Sequence, residues 1–445
     1  MRTLLSGLLQ TTLLVLCAPA WAQSQDPGVP ELQREVRQLS NRVQQLEQLL
    51  EEALKRLDAA ESIRDQQKVV VKQSPTLAPQ ETQRSQVTLG GRVKADAIIS
   101  SVSSGGAGGN SRLDTAFLPG IIPLTNLGEK NELSSSARDS RFWINARTHT
   151  ERGDLGAYLE LDFVSSDGSG NERVSNSYNP RLRHAYGTFR NVTVGQTTTT
   201  FLNSLAFPEL NDANGPVGIT NVRQPLLRHS WLDGQRRWTL ALEQPETTIT
   251  SSTGSRLSND DDRVPDVIGR LDVDGDWGNW SLALLLRQLR VDSGTTSNEE
   301  RGVGLSTAGR IFTSDVNNIR FSLTVGEGIG RYVSYNAFND AIMVAGEGIK
   351  PVSVLSGYLA YQHWWLSHLR SNWVIGFANA DIDTSMVADT VNESLISSHV
   401  NLLWSPVPEA TIGLEWLYGE RKLANGTTGN LNRLQITSLY KFRRR

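Results

Sequence analysis

Along most of this chain apolar and polar residues alternate. In "DLGAYLELDF" Leu155, Ala157, Leu159, Leu161 and Phe163 are apolar, and Gly156, Tyr158, Glu160 and Asp162 stand between them. A period of two predicts a strand with one apolar and one polar face. A soluble sandwich would bury the apolar face in a core. A membrane barrel would turn it to lipid and keep the carboxylates in a wet interior.

The alternation recurs from Val87 to the C-terminus. It predicts sixteen strands, near 86–100, 138–150, 154–165, 181–190, 191–198, 222–231, 236–245, 265–274, 279–290, 302–312, 319–327, 352–365, 369–381, 393–404, 409–421 and 431–442. Their connections are of two kinds. Some are tight, such as "ERGD" (151–154), "LDGQ" (232–235) and "LSHL" (366–369). Others are long and rich in Gly, Ser, Asn and Asp, as at 101–137, 199–221, 246–264 and 328–351. Short and long alternate, as expected of an up-and-down barrel with short periplasmic turns and long external loops. An even strand count closes an antiparallel barrel and puts both ends on one side. Tryptophans cluster at the short turns: Trp231 and Trp238 at one, Trp277 and Trp280 at another, Trp364, Trp365 and Trp373 at a third, and Trp404 before a fourth. Indole rings favour the headgroup zone, so this reads as an aromatic girdle. The apolar face of 155–163 is therefore expected to meet lipid, and Glu160 and Asp162 to face water.

Upstream the period changes. Leu32, Val36, Leu39, Val43, Leu46, Leu50, Ala53, Leu57 and Ala60 are spaced by four and three residues in turn. That is a coiled-coil seam of about four heptads. A lone amphipathic helix would show a wider stripe. Val36 and Val43 at a positions suit a dimer, but Leu49 and Leu54 broaden the seam and favour three strands. Residues 23–68 are thus read as a trimerisation segment, 69–85, with Pro75 and Pro79, as a linker, and 86–445 as the barrel. Residues 1–22 carry Arg2, an apolar stretch and the small-x-small site Ala20-Trp21-Ala22, the pattern of a signal peptide. The only cysteine, Cys17, lies there, and the bulky Leu16 before it argues against lipid attachment. The mature chain then holds no cysteine, which suits a large exported envelope protein.

Composition narrows the class. Charged residues make up 20%, and after the N-terminus no apolar run reaches the ~18 residues of a membrane helix. This excludes a helical membrane protein and leaves a barrel open. The net charge of -3 shows no basic surplus for nucleic acid.

Strand parity then assigns the lumen. It points Arg92, Lys94 and Asp96 inward, and Arg141, Trp143, Asn145 and Arg147 likewise, with Arg320 inside "IRFSLTV". Arg181, Arg183, Arg228, Arg270 and Arg287 are further candidates. Clustered guanidinium groups attract anions and hold carboxylates bidentately. About half are expected instead to pair with wall carboxylates such as Glu160, Asp162, Asp272 or Glu415. Loop 199–221, continuing into "NVRQP", carries Phe201, Leu202, Leu205, Phe207 and Leu210. Its apolar content suggests that it packs inside the barrel and brings Arg223 to a restriction. The alternative is an external loop at a subunit contact.

Catalytic patterns are thin. "GEGIG" (326–330) ends a strand with no helix following, "DVDGDWGN" lacks the glutamate of a calcium loop, and the six histidines are scattered.

Several stretches carry a family resemblance: "SRFWINART", "PRLRHAYGTF", "VGQTTTTF", "NGPVGITNVRQP", "DGDWGNWSLALLLRQL", "GEGIGRY", "GYLAYQHWW", "NLLWSPVPEATIGLEWLYGER" and "LQITSLYKF". The chain resembles the DcaP-type porins. The resemblance implies a homotrimer in the outer membrane of a Gram-negative bacterium, with a periplasmic coiled coil. It implies contact with lipid and lipopolysaccharide, insertion by the barrel-assembly machinery, and passive diffusion of small anions such as dicarboxylates, without a cofactor. One departure is the terminus: such barrels commonly end in an aromatic residue, whereas here Arg443–Arg445 follow Phe442. The expectation is an all-β transmembrane barrel of about 16 antiparallel strands preceded by a helical coiled coil. The rival reading is a tether between outer membrane and cell wall.

Overall fold

The computed structural model describes residues 85–105, 112–124, 130–164, 176–259, 261–292, 297–344 and 346–444, together with Gln44, Gln48 and Lys55. Those three isolated positions are helical. The seam residues Leu32, Val36, Leu39, Val43, Leu46, Leu50 and Leu57 lie outside the described residues, as do 1–22 and the linker up to 84.

The wall runs in chain order. It begins with β1 (Gln86–Val102), β2 (Asn131–Ser136), β3 (Arg141–Thr150), β4 (Gly153–Asp162), β5 (Arg181–Phe189), β6 (Val192–Thr198), β7 (Arg223–Asp233) and β8 (Arg236–Glu243). After β9 (Thr247–Thr250) and β10 (Arg256–Asn259) it resumes with β11 (Asp266–Gly275), β12 (Gly278–Asp292), β13 (Ser297–Phe312) and β14 (Asn318–Glu327). After β15 (Ala341–Val344) and β16 (Gly348–Pro351) it ends with β17 (Ser353–Leu366), β18 (Leu369–Asp381), β19 (Asn392–Val407), β20 (Ala410–Leu423) and β21 (Thr428–Arg444). Sequential neighbours pair antiparallel, and β21 returns to β1 in a ladder from Val102↔Leu431 to Leu89↔Arg444. β2 and β3 lie end to end along β1, so the sheet of 17 strands has sixteen staves. Closure leaves no open edge, which lets a sheet cross lipid.

Each expected strand is present. The second differs: instead of one segment at 138–150 it starts at Asn131 and is interrupted at 137–140, where Asp139 and Ser140 are buried. Arg443 and Arg444 continue the closing ladder opposite Gly90 and Leu89.

The outward and inward faces are inverted relative to a soluble protein. Leu155 and Leu159 are 50% and 39% exposed, whereas Glu160 and Asp162 are 9% and 0% exposed. Val87, Leu89, Val93, Phe142, Ile144, Leu323 and Val325 are also exposed. Such a band of apolar side chains belongs against hydrocarbon. Trp231, Trp238, Trp277, Trp365, Trp373 and Trp404 are exposed near the short turns, as a girdle requires. Trp364 instead lies under the Arg370 guanidinium at 5.0 Å.

The interior holds a core that parity alone did not foresee. Phe117 and Ile122, Phe201 and Val217, and Ile329, Tyr332 and Phe338 come from three long connections. They pack with the wall residues Ile268, Leu285, Leu395, Leu417 and Leu431. This explains "LALLL" (282–286), where both faces are apolar: Leu284 and Leu286 are exposed outside, and Leu285 meets the loops within. Two of the long connections also carry a small second sheet, ordered β10-β9-β15-β16, where simple loops were expected. Arg256 in β10 is tied there, donating to Asn339 Oδ1 at 2.6 Å and to the Asn336 carbonyl.

Candidate functional site

Residues 199–222 cross the lumen, as their apolar content suggested. Near its start the loop bonds to the wall through Asn203 Nδ2, which donates to Asn279 Oδ1 at 2.6 Å. Farther along, Asn211 N donates to Glu415 Oε2 at 2.7 Å, and Val217 N donates to Ser397 Oγ at 2.9 Å. Glu209 is gripped by Arg370, whose Nε donates to its Oε2 at 2.6 Å. Burial raises the Glu209 pKa, but the Arg370 hydrogen bond and charge outweigh it and hold the carboxyl below its usual value.

Between this loop and the wall lies a chamber of about 460 Å³. Arg92, Lys94, Arg141, Arg183, Arg223 and Lys441 line it, with Asp139, Glu209, Asp212 and Tyr335. The basic residues of the chamber and of the surrounding wall fall into two groups.

The first group is paired. Asp139 receives Arg92 and Arg141, the latter at 3.0 Å, and lies 3.3 Å from Lys94 Nζ. Lys94 also lies 3.0 Å from Asp96 and donates to Asn211 O at 2.6 Å. Arg183 bridges Glu160 at 2.6 Å and Asp162 at 2.7 Å. Arg181 binds Asp162 through two hydrogen bonds of 2.8 Å. Arg270 pairs with Asp272, and buried Arg287 pairs with Asp340 at 2.9 Å and Asp266 at 3.4 Å. Glu415 takes no arginine among the described residues; His399 Nδ1 lies 3.3 Å away.

The second group has no carboxylate partner among the described residues. The Arg223 guanidinium makes neither a hydrogen bond nor an ion pair there, although it lines the chamber. Arg228 donates to Thr200 Oγ1 at 2.8 Å and Thr198 O at 2.7 Å, both neutral. Arg320 donates to Asn318 Oδ1 at 2.8 Å and to the Phe207 carbonyl on the loop. Arg147 stands exposed near the β3–β4 turn, away from the chamber lining. Such cations keep their field for a mobile ion.

Sequence reading missed several participants. Arg310 faces Arg320 directly across two strands, and the parity of "STAGRIF" would have found it. Asp139 and Glu209 had no such signal, because one sits in a strand break and the other in a loop. No group of acidic, histidine or cysteine side chains suited to a metal occurs among the described residues.

A closed barrel with a lipid-facing wall and an inward loop that narrows a charged lumen defines an outer membrane channel of the porin class. The chain belongs to the DcaP outer membrane protein family, whose model matches residues 31–442. The fold is similar to the crystal structure of the outer membrane channel DcaP of Acinetobacter baumannii. That likeness covers 82% of this chain and 100% of that one, at 20% identity and a TM-score of 0.67. The trimer form of in-vitro folded OmpT from Vibrio cholerae matches 80% of this chain and 99% of its own, at 8% identity and a TM-score of 0.50. An anion-selective porin from Comamonas acidovorans matches 81% and 100%, at 13% identity and a TM-score of 0.49. No curated protein sequence matches this chain.

Proposed function

We propose that this protein is a passive diffusion channel preferring small anions, with dicarboxylates as the favoured class. The observation that carries the reading is Arg223: a guanidinium lining the chamber with no carboxylate at ion-pair distance among the described residues. Arg228 and Arg320 add two further guanidiniums whose hydrogen-bond partners are neutral, with no carboxylate at ion-pair distance among the described residues. An anion meeting it exchanges hydration for charge-assisted contacts of roughly 1.5–3 kcal/mol each before desolvation. Weak sites in series permit both entry and exit. Arg92, Lys94, Arg141, Arg181 and Arg183 then act chiefly as wall structure, and Arg147 as an outlying cation.

The seam at 23–68 supports assembly as a homotrimer with its coiled coil in the periplasm, after removal of a signal peptide at 1–22. Lipopolysaccharide and the barrel-assembly machinery complete the proposed partners.

Reversal potentials in planar bilayers under a salt gradient test the function. Anion-directed potentials, with block by succinate, are expected. A cation-selective trimer sinks the reading, and a silent one favours the tether, which needs no open lumen. Leu39→Asp with Leu46→Asp should abolish the trimer in sedimentation while the barrel stays folded.

A further inference from the structure

The segment between β14 and β15 grips the inward loop. Ser334 N donates to Ile219 O at 2.8 Å, Gly218 N donates to Ser334 Oγ at 2.8 Å, and Asn221 N donates to Tyr332 O at 3.0 Å. Thr220 and Val333 form an antiparallel bridge between the two segments. The Tyr335 hydroxyl donates to the Asn214 carbonyl and accepts from Asn221 Nδ2 at 3.1 Å. On the other side stands the wall. A Cβ on Gly218 would overlap the backbone of Gly357, and one on Gly376 would overlap the Val217 carbonyl. Residues 214–222 are therefore held between the wall and 330–336.

The grip is built on unusual backbone. Ser334, Tyr335 and Asn336 have φ values of 47, 60 and 58°. Three successive non-glycine residues in the left-handed region are strained, and such strain persists only where surrounding contacts over-determine it. Here those contacts are the bonds from Ser334 and Tyr335 to the inward loop. The far end is pinned by Asp340, which accepts from Arg331 N at 2.8 Å, Thr248 N at 2.9 Å and Arg287 Nη1 at 2.9 Å.

We propose that residues 330–336 are a strap that sets the position of the inward loop, and that Tyr335 is its positioning residue for the pore constriction. Tyr335 and Arg223 line the same chamber. Releasing the tyrosine removes its bonds to the Asn214 carbonyl and the Asn221 side chain, and the part of the chamber wall that carries Asn221 loosens. The effect on current rests on the proposed channel function; the strap itself does not.

Two measurements on the full-length protein in detergent test this. In amide hydrogen exchange, Tyr335→Phe, which removes two hydrogen bonds, should speed exchange across 214–222 by about tenfold or more. Ser334→Ala, which removes the hydroxyl that accepts from Gly218 N and leaves the strained backbone in place, should do the same. Strand β20 should exchange as in the parent. Unchanged exchange at 214–222 in both variants overturns the strap, and equal acceleration in β20 overturns its local action. In bilayers both variants should flicker between conductance levels. Quiet variant currents from a conducting parent overturn the positioning role. A silent parent sinks the channel reading alone and leaves the exchange result to decide the strap.

Discussion

Arg183 and Arg223 line one chamber, yet a passing ion meets them differently. Arg183 is buried and spends its guanidinium on Glu160 at 2.6 Å and Asp162 at 2.7 Å. The Arg223 guanidinium has no hydrogen-bond or ion-pair partner among the described residues. The same contrast separates Arg92, Arg141 and Arg181 from Arg228 and Arg320. In the first group cation and carboxylate cancel at short range, and what remains is a network of charge-assisted bonds across β1, β3, β4 and β5. In the second, Arg223 has no acceptor among the described residues, and neutral acceptors orient Arg228 and Arg320 with no carboxylate at ion-pair distance. Counting arginines therefore overstates the field of a pore, and the location of their partners decides it.

The contrast can be broken most severely at Asp162. Asp162→Ala leaves Arg181 and Arg183 short of a buried partner and should cost roughly 3–5 kcal/mol of stability, measured by urea unfolding followed through tryptophan fluorescence. A loss near zero would show that the paired group does not hold the wall. Next comes the unpaired group. Arg223→Ala with Arg228→Ala should lower the anion-to-cation permeability ratio about tenfold, equivalent to one charge-assisted contact, with a far smaller change in unfolding midpoint. Arg152→Ala, in the exposed β3–β4 turn, is the control and should shift neither. Arg141→Ala sharpens the comparison. Asp139 keeps Arg92 and Lys94, so reversal potentials should move by less than about twofold in permeability. A shift equal to that of the Arg223 pair would end the distinction between the groups.

The smallest effect concerns pH. Glu209 has its pKa lowered from 4.5 in the folded protein, burial notwithstanding, by Arg370. A lowered carboxyl stabilises above its unfolded value and loses that contribution as pH falls through the folded one. Loop anchoring should thus be constant from neutral pH to about 5 and weaken only below about 4. Current noise recorded across that range checks it, and noise rising already near neutral pH would remove Glu209 from the role.

Much of the barrel was legible because its rule is local. A strand between lipid and water must alternate, so parity alone placed Leu159 outside and Glu160, Arg92 and Arg141 inside. The turn lengths and the tryptophans near them gave the strand order and the girdle by the same local logic. The interruption at 137–140 was not legible, since Asp139 turns inward to meet Arg92 and Arg141, and no nearby pattern marks that demand. The second sheet was hidden as well: β9 and β15 pair across a long stretch of chain, inside segments whose composition reads as loop.

The sequence by itself determined which side of the wall most strand residues face, because away from bulges a two-residue period and two solvents leave one solution. It also marked 199–221 as too apolar to stay in water. Only the tertiary structure decided which arginines are neutralised. Those partners are set by what stands across the lumen or on the next strand, as Glu209 stands by Arg370 and Asn211 by Lys94 and Glu415. Period describes direction, whereas pairing depends on distance between residues far apart in the chain, and closure of the barrel fixes that distance.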